Sequence, residues 1–209
     1  MSNDPTLAVA ILAGGRARRF GGADKSGLAL GGRSILDRLL DAVRPVASHV
    51  FAVGDGHGAA ARAGLEVVPD LVPSSGALGG IYTAIVRSPS ERTLVVGCDM
   101  PFVTTAFVAR LAGVTGADVV MPRTTAGYEP LCAIYGRACA AAIRLRLDRG
   151  ERHAAVPPGG VRVVEIGPEE LAAYDPDGLL FVNVNTPHDY AQAQRILLRA
   201  GMPDATTDD

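Results

Sequence analysis

The chain alternates short apolar runs with segments in which apolar residues repeat at helical spacing. Short runs bounded by Gly, Pro or Asp are typical of buried strands, and apolar positions three or four residues apart are typical of helices. The pattern predicts strands at residues 7–12, 50–53, 66–69, 93–97, 118–121, 131–135, 161–166 and 181–184. It predicts helices at 35–44, at 81–87, from Thr104 or Thr105 onward, at 137–149 and at 187–199.

Helix-start signals support two of these helices. Ser34 precedes the first helix and Asp37 follows three residues later, which is the spacing of a capping box. Thr186 precedes the last helix, and Pro187 then occupies the first helical position, where proline is favoured.

Strands that alternate with helices predict an α/β protein, a three-layer α/β/α sandwich with a mostly parallel sheet. A length of 209 residues fits one domain, which we assign to residues 1–200. The small and acidic residues 201–209 are expected to form a disordered tail. The Pro-Pro-Gly-Gly run at 157–160 is interpreted as a loop within the domain.

Composition excludes several classes of protein. A net charge of −2 argues against a nucleic-acid binder that works through bulk electrostatics. No apolar run approaches the ~20 residues needed to cross a bilayer, and the start of the chain lacks a basic signal sequence. Three cysteines without a C-x-x-C pair favour a reducing compartment. We therefore expect a soluble, cytoplasmic protein that binds neither nucleic acid nor membranes.

The loop after the first strand concentrates glycine and positive charge. Residues 12–25 read LAGGRARRFGGADK, with four glycines, three arginines and one lysine. Glycines let backbone N–H groups approach a ligand closely, and the cations favour a polyphosphate. The stretch fits neither the P-loop, since Asp24 precedes Lys25, nor the dinucleotide fingerprint, since Arg16 stands where the second glycine is required.

Several predicted strands end in residues of similar chemistry. These ends are Gly14-Gly15, Gly54-Asp55-Gly56, Asp70 and Asp99. Ligands of open α/β sheets bind beyond the carboxyl ends of the strands, so we expect the four ends to share one edge. A glycine-rich basic loop with carboxylates beside it suits a nucleoside triphosphate and Mg²⁺, which takes one or two carboxylates together with phosphate oxygens.

These residues also carry a family resemblance. The loop from Leu12 to Lys25, Asp70, the Gly-Cys-Asp-Met-Pro run ending at Pro101 and the Phe-Val-Asn-Val-Asn-Thr-Pro run at 181–187 resemble the molybdenum cofactor guanylyltransferases. The resemblance spans about residues 7 to 195 and implies a Rossmann-like nucleotidyltransferase fold. It also implies transfer of GMP from GTP to the terminal phosphate of molybdopterin carrying molybdenum, with release of pyrophosphate.

The resemblance implies a role for each matching residue. On the nucleotide side, GTP would be bound by Leu12, Ala13, Gly14, Gly15, Lys25 and Asp70. Asp99 would hold Mg²⁺, and Asn183 and Asn185 would line the pterin side. Lys25, Asp99 and Arg19 would act in the chemical step, with Arg19 meeting either the triphosphate or the incoming phosphate.

Other interpretations stay open for several of these residues. At the end of the second strand, where family members can place Asn, this chain has Val53, and Asp55 is a candidate replacement. Asn185 could belong only to the helix start. The arginines between 144 and 152 are either a solvated helix face or a rim for an anionic substrate.

Two rival functions fit part of the same pattern. A nucleotidyltransferase of the same fold could transfer CMP to molybdopterin, or could act on a sugar or alcohol phosphate. The second rival is a carrier that binds a nucleotide or a pterin without catalysis, and such a protein would have no need of both Lys25 and Asp99. Expected partners are GTP, molybdopterin and other molybdenum-cofactor proteins, with the chain a monomer or a weak oligomer.

Overall fold

A sheet of eight strands forms the centre of the computed structural model, which describes residues 7–13, 27–54 and 58–199. The strands of the chain are β1 (Leu7–Leu12), β2 (Ala29–Leu30), β3 (Arg33–Ser34), β4 (His49–Val53), β5 (Glu66–Val68), β6 (Arg92–Gly97), β7 (Val119–Thr124), β8 (Gly127–Tyr128), β9 (Cys132–Gly136) and β10 (Val163–Ile166). Strands β2 and β3 form a separate antiparallel hairpin.

The order of strands in the sheet is β10-β7-β9-β6-β1-β4-β5, with β8 paired to β7. Four pairs are parallel: β1 with β4, β1 with β6, β4 with β5, and β7 with β10. Strand β9 runs antiparallel to both of its neighbours, β6 and β7. The prediction of a mostly parallel sheet is therefore confirmed. Strand β9 is inserted in reverse between two strands that share a direction, and the short β8 also runs antiparallel to β7.

Helices cover both faces of the sheet. They are α1 (Ile35–Val43), α2 (Ala59–Arg62), α3 (Gly76–Arg87), α4 (Thr105–Ala112), α5 (Cys139–Asp148), α6 (Pro168–Leu171) and α7 (Pro187–Arg199). On one face α1 and α4 pack on residues such as Ile11 and Leu94, and on the other α3 and α5 pack on residues such as Ala10 and Val95. Alternate residues of each strand thus enter separate cores, which confirms the three-layer architecture.

The predicted cap of α1 is present. The Ser34 hydroxyl oxygen accepts a hydrogen bond from the backbone N–H of Asp37 at 3.0 Å, and the hydroxyl donates to the Asp37 carboxylate at 2.6 Å. Because the N–H groups of a first helical turn have no partner within the helix, this bond fixes where α1 begins. None of the helices in the described part of the chain is long and apolar enough to span a membrane.

Two predictions of secondary structure were wrong. Residues 181–184 form no strand: Phe181 packs against Phe107 with ring centroids 5.7 Å apart, and Val184 is buried in a separate cluster with Leu30. The apolar pattern there reflects packing against two cores rather than sheet pairing. Helix α3 begins at Gly76, five residues before the predicted start, and the glycines of its first turns lie at positions of close contact.

Those glycines let α3 approach the sheet edge. A Cβ atom on Gly80 would lie 3.0 Å from Leu12 Cδ1, and one on Gly79 would lie 2.6 Å from Ser75 Cβ and 3.2 Å from the Val72 carbonyl oxygen. Glycine usually weakens a helix by ~1 kcal/mol relative to alanine. Here the missing side chains allow the contacts between α3, β1 and the preceding loop.

We expect Gly79→Ala to destabilise the fold, although alanine favours helix more than glycine. The added Cβ has to displace Ser75 Cβ or the backbone at Val72, and such overpacking costs about 1–3 kcal/mol. Urea unfolding measures the difference. Adding Ser75→Gly to Gly79→Ala should recover part of the loss, with Ser75→Gly alone as the matched control. Parental stability of Gly79→Ala would contradict this account of the packing.

Candidate active site

The carboxyl ends of four neighbouring strands lie side by side at one edge of the sheet. Leu12 at the end of β1 is in register with Gly97 on β6 and with Val53 on β4, and Val53 is in register with Val68 on β5. The ladder continues one residue further, since Ala13 N donates to Val53 O at 2.9 Å. The predicted shared edge is therefore present among the described residues.

Part of the predicted site falls outside the described residues. Gly14, Gly15, Arg19 and Lys25 belong to the undescribed range 14–26, and Asp55 belongs to 55–57. Leu12 and Ala13, which lead into the glycine-rich loop, are described and partly buried at the edge. Ala13, the last described residue before the loop, thus lies between the ends of β6 and β4.

Asp99 lies directly beyond the end of β6. Its carboxylate folds back over Gly97, because a Cβ atom on Gly97 would lie only 2.8 Å from Asp99 Oδ1. Cys98 N donates to Leu12 O at 3.3 Å, which ties the turn after β6 to the end of β1. A glycine at 97 therefore provides the space that this partly buried carboxylate occupies.

Asp70 lies at the other end of the same edge. It follows β5 by two residues, and β1 and β4 stand between β5 and β6. Three inter-strand spacings separate the strand ends by about 14 Å. Asp70 and Asp99 therefore follow strand ends that stand three strands apart along this edge.

The segment with Asn183 and Asn185 joins Asp99 from the far end of the chain. Val184 N donates to Asp99 O at 2.9 Å, and the Val184 side chain is fully buried. Asn183 is exposed, and its Nδ2 donates to Phe181 O at 3.0 Å. Two asparagines distant in sequence from β6 are thereby held beside its carboxyl end.

The start of α7 fixes the backbone of this segment. Asp189 Oδ2 accepts hydrogen bonds from Asn185 N at 2.9 Å and Thr186 N at 2.8 Å, and Thr186 Oγ1 accepts one from Asp189 N at 3.1 Å. The backbone N–H of Asn185, foremost among these contacts, lowers the pKa of Asp189. The helix start and the placement of the asparagines therefore depend on the same hydrogen bonds, so the two interpretations of Asn185 are compatible.

Sequence reasoning missed one carboxylate at this edge, Glu129. Strand β9 is reversed, so it begins near the end of β6, and Leu131 O accepts from Gly97 N at 3.0 Å. Glu129 lies two residues before Leu131 and is partly buried. A charged residue directly before an apolar strand was the available signal, but only the reversal of β9 brings it to this edge.

Other candidate groups have structural partners. Burial raises the pKa of the Cys132 thiol to about 12 and that of Cys139 to about 11, which leaves both as neutral core residues. On α5, Arg144 pairs with Asp148 at 2.7 Å, whereas Arg146 pairs with Glu151 at 2.6 Å. These two arginines thus stabilise α5 and the loop that follows it.

Comparison with known proteins assigns the family. The family model described as a MobA-like NTP transferase domain matches residues 9–162, more than half of the chain. The chain belongs to the MobA-like NTP transferase family.

Relatives of this MobA-like chain are similar over nearly their whole length. A protein of Desulfosudis oleivorans named molybdenum cofactor guanylyltransferase is 33% identical, with 88% of this chain and 92% of the relative covered. A protein of Pelotomaculum thermopropionicum named probable molybdenum cofactor guanylyltransferase is 35% identical, with 88% and 90% covered.

Solved structures share the MobA-like fold. The molybdopterin-guanine dinucleotide biosynthesis protein A of Archaeoglobus fulgidus superposes with a TM-score of 0.75 at 28% identity, covering 92% of this chain and 99% of that one. The 2-C-methyl-D-erythritol 4-phosphate cytidylyltransferase of Thermus thermophilus has a TM-score of 0.64 at 15% identity, covering 90% and 98%. The second likeness shows the nucleotidyltransferase fold alone.

Replacing Asp189 by alanine should weaken the start of α7 by about 1 kcal/mol, since two backbone N–H groups lose their acceptor. The pKa of Asp189 is lowered in the folded state, so its contribution is present above the ordinary value of 3.8 and is lost as pH falls through the lowered value. Urea unfolding at neutral and acidic pH should show the gap between parent and variant closing in acid. The exposed Arg195→Ala on the same helix is the control, and a gap that stays constant with pH would refute the assignment.

Proposed function

We propose that this chain is a guanylyltransferase that transfers GMP from GTP to the terminal phosphate of molybdopterin carrying molybdenum. An oxygen of that phosphate bonds to the α-phosphorus of GTP, the bond from the α-phosphorus to its bridging oxygen breaks, and pyrophosphate leaves. The hydrogen bond from Val184 N to Asp99 O carries the proposal, because it joins the segment assigned to the pterin side to the strand end assigned to the metal. The names of the relatives support the same reaction.

The nucleotide occupies the β1, β4 and β5 side of the edge in this proposal. Its phosphates contact the backbone at Leu12, Ala13, Gly14 and Gly15, with Lys25 as the cation beside them. Asp70 belongs to the nucleoside end, which fits its place after β5, because the ends of β5 and β6 stand about 14 Å apart. That distance is in the range spanned by a base, a ribose and the phosphates bound along one edge.

Asp99 fits the role of a magnesium ligand. The space above Gly97 receives one of its oxygens, and carboxylate oxygens are donors that Mg²⁺ prefers. Among the described residues there is no group of three or more His, Cys, Asp or Glu side chains that could hold a metal by itself. A single carboxylate at Asp99 suits an ion that takes most of its ligands from phosphate and water. Bound Mg²⁺ would supply charge neutralisation at the triphosphate.

The reaction requires no protein base. The attacking group is a phosphate monoester, whose second pKa of ~6 leaves it largely dianionic at neutral pH. The chain has to bring two anions together and to hold the attacking oxygen in line with the α-phosphorus. Positioning and electrostatic stabilisation therefore provide the catalysis, with Lys25 and Asp99 near the α-phosphate and Arg19 toward either substrate.

The acceptor occupies the opposite side of Asp99, beside Asn183 and Asn185. Asparagine side chains offer both donors and acceptors, which suits the mixed hydrogen-bonding edges of a pterin. Fixing the backbone of this segment at Asp99 and Asp189 places those side chains with little loss of entropy on binding.

The substrate assignment is tested by supplying GTP, CTP, ATP and UTP separately with molybdopterin and Mg²⁺ and measuring pyrophosphate release. GTP should give the highest kcat/KM, at least about tenfold above CTP, because base contacts that are satisfied for only one base are worth about 1–3 kcal/mol. Preference for CTP would identify a cytidylyltransferase of the same fold. Saturable binding without pyrophosphate release from any triphosphate would identify a carrier.

Asp99→Asn should lower kcat/KM by at least about a hundredfold, the scale for loss of one electrostatic contact to the transition state. The amide keeps the shape of the carboxylate but removes its charge, so half-saturation by Mg²⁺ should also move to higher concentration. Pyrophosphate release across a Mg²⁺ series measures both effects. Asp177→Asn, an exposed position outside the site, is the matched control. Near-parental turnover of Asp99→Asn would remove the metal role.

A further inference from the structure

Glu129 is held in place by the strands on the far side of β6 from β1. Its backbone N donates to Pro122 O at 3.0 Å, and its carbonyl accepts from Cys132 N at 3.1 Å. The first bond extends the pairing of β7 with β8, and the second closes the turn into β9. Glu129 is therefore fixed at both sides of its backbone, beside the end of the strand that precedes Asp99.

The Glu129 side chain lies on the face of the sheet that carries the asparagine segment. Tyr128 and Glu129 are consecutive residues along the extended pairing of β8 with β7, where successive side chains point to opposite faces of the sheet. Cys132 belongs to the core cluster against which Phe181 packs, whereas Tyr128 contacts the cluster on the opposite face. Glu129 and the residues that lead to Asn183 thus approach the edge from the same face.

The electrostatic setting of this carboxylate suits binding of neutral N–H donors. Partial burial raises the pKa of Glu129, while a hydrogen bond from the Thr124 side chain acts in the opposite direction. Within residues 7–13, 27–54 and 58–199, no arginine or histidine forms an ion pair with it. A partly desolvated carboxylate gains most from a ligand that offers two adjacent N–H groups.

We propose that the Glu129 carboxylate binds the 2-amino-4-oxopyrimidine edge of the acceptor pterin, accepting hydrogen bonds from the ring N3–H and the 2-amino group. This specificity-determining role rests on the proposed function, since it assumes a pterin acceptor. A carboxylate matches these two parallel donors with its two oxygens. It would reject a 2-oxo ring, which presents an acceptor in place of the amino group.

The guanine of GTP offers the same pair of N–H donors as the pterin. The position of Glu129 along the strand order, relative to β6, distinguishes the two ligands. The residues assigned to the nucleotide follow β1 and β5, on one side of β6. Glu129 follows β7 and β8, on the other side, and shares its face with the segment that leads to Asn183. The placement therefore favours the pterin over the guanine of GTP.

The test compares affinities for pterin and for lumazine, its 2,4-dioxo analogue, by fluorescence titration of the intact chain. The parent should prefer pterin by at least about tenfold, the value of a charge-assisted hydrogen bond. In Glu129→Gln the ratio should fall to near one, because the glutamine amide can donate to the 2-oxo group. Partial unfolding of the variant would lower both affinities together and would leave their ratio unchanged.

Glu169→Gln, which removes the same charge from an exposed position on α6, should keep the parental ratio. No saturable pterin binding to the parent, or a ratio unaffected by Glu129→Gln, would overturn the proposal. A second arm compares GTP with xanthosine triphosphate, which differs from GTP by the same change from 2-amino to 2-oxo. If Glu129→Gln alters that ratio and leaves the pterin ratio alone, guanine is the ligand and the assignment to pterin is wrong.

The proposed function fails separately from this inference. A parent that forms no dinucleotide from GTP and molybdopterin would refute the guanylyltransferase assignment, whatever its preference between pterin and lumazine. A parent that forms the dinucleotide and keeps its pterin preference in Glu129→Gln would refute the role of Glu129 alone.

Discussion

The hydrogen bond between Val184 N and Asp99 O connects the two parts of the chain on which the candidate site depends. Asp99 ends a central strand, and Val184 lies eighty-five residues later, in a segment that pairs with no strand. The Val184 side chain is buried against Leu30, which anchors the segment to the core. The Asp189 carboxylate fixes the backbone that follows. These contacts together hold the proposed pterin contacts beside the proposed metal ligand.

The reversed strand β9 divides the edge into two regions of different chemistry. On the β1 side of β6, the parallel strands β1 and β5 lead to the glycine-rich loop and to Asp70, with β4 between them. On the β9 side, the antiparallel pairing brings Leu131 opposite Gly97, and Glu129 lies two residues before Leu131. Transfer of a nucleotide between two anionic substrates needs such a division, since each must be held separately and meet only at the α-phosphorus.

Close packing around glycines makes this edge possible. Gly97 leaves room for the Asp99 carboxylate, and Gly79 and Gly80 let α3 lie against Leu12 and the loop that precedes the helix. Glycine lowers helix or strand propensity at these positions, and it permits these close contacts. The asparagine segment and α3 approach the edge from opposite faces of the sheet.

The amino-acid sequence by itself determined the layers, most strand positions, the caps at Ser34 and Thr186 and the shared edge, because periodicity and capping act between residues close in the chain. Tertiary structure decided what depends on distant contacts. Phe181 and Val184 look like strand residues but pack into separate cores, α3 starts early where glycines meet the sheet, and Glu129 joins the edge through the reversal of β9. An apolar residue in the sequence predicts that its side chain will be buried. Only the folded chain shows which residues it packs against.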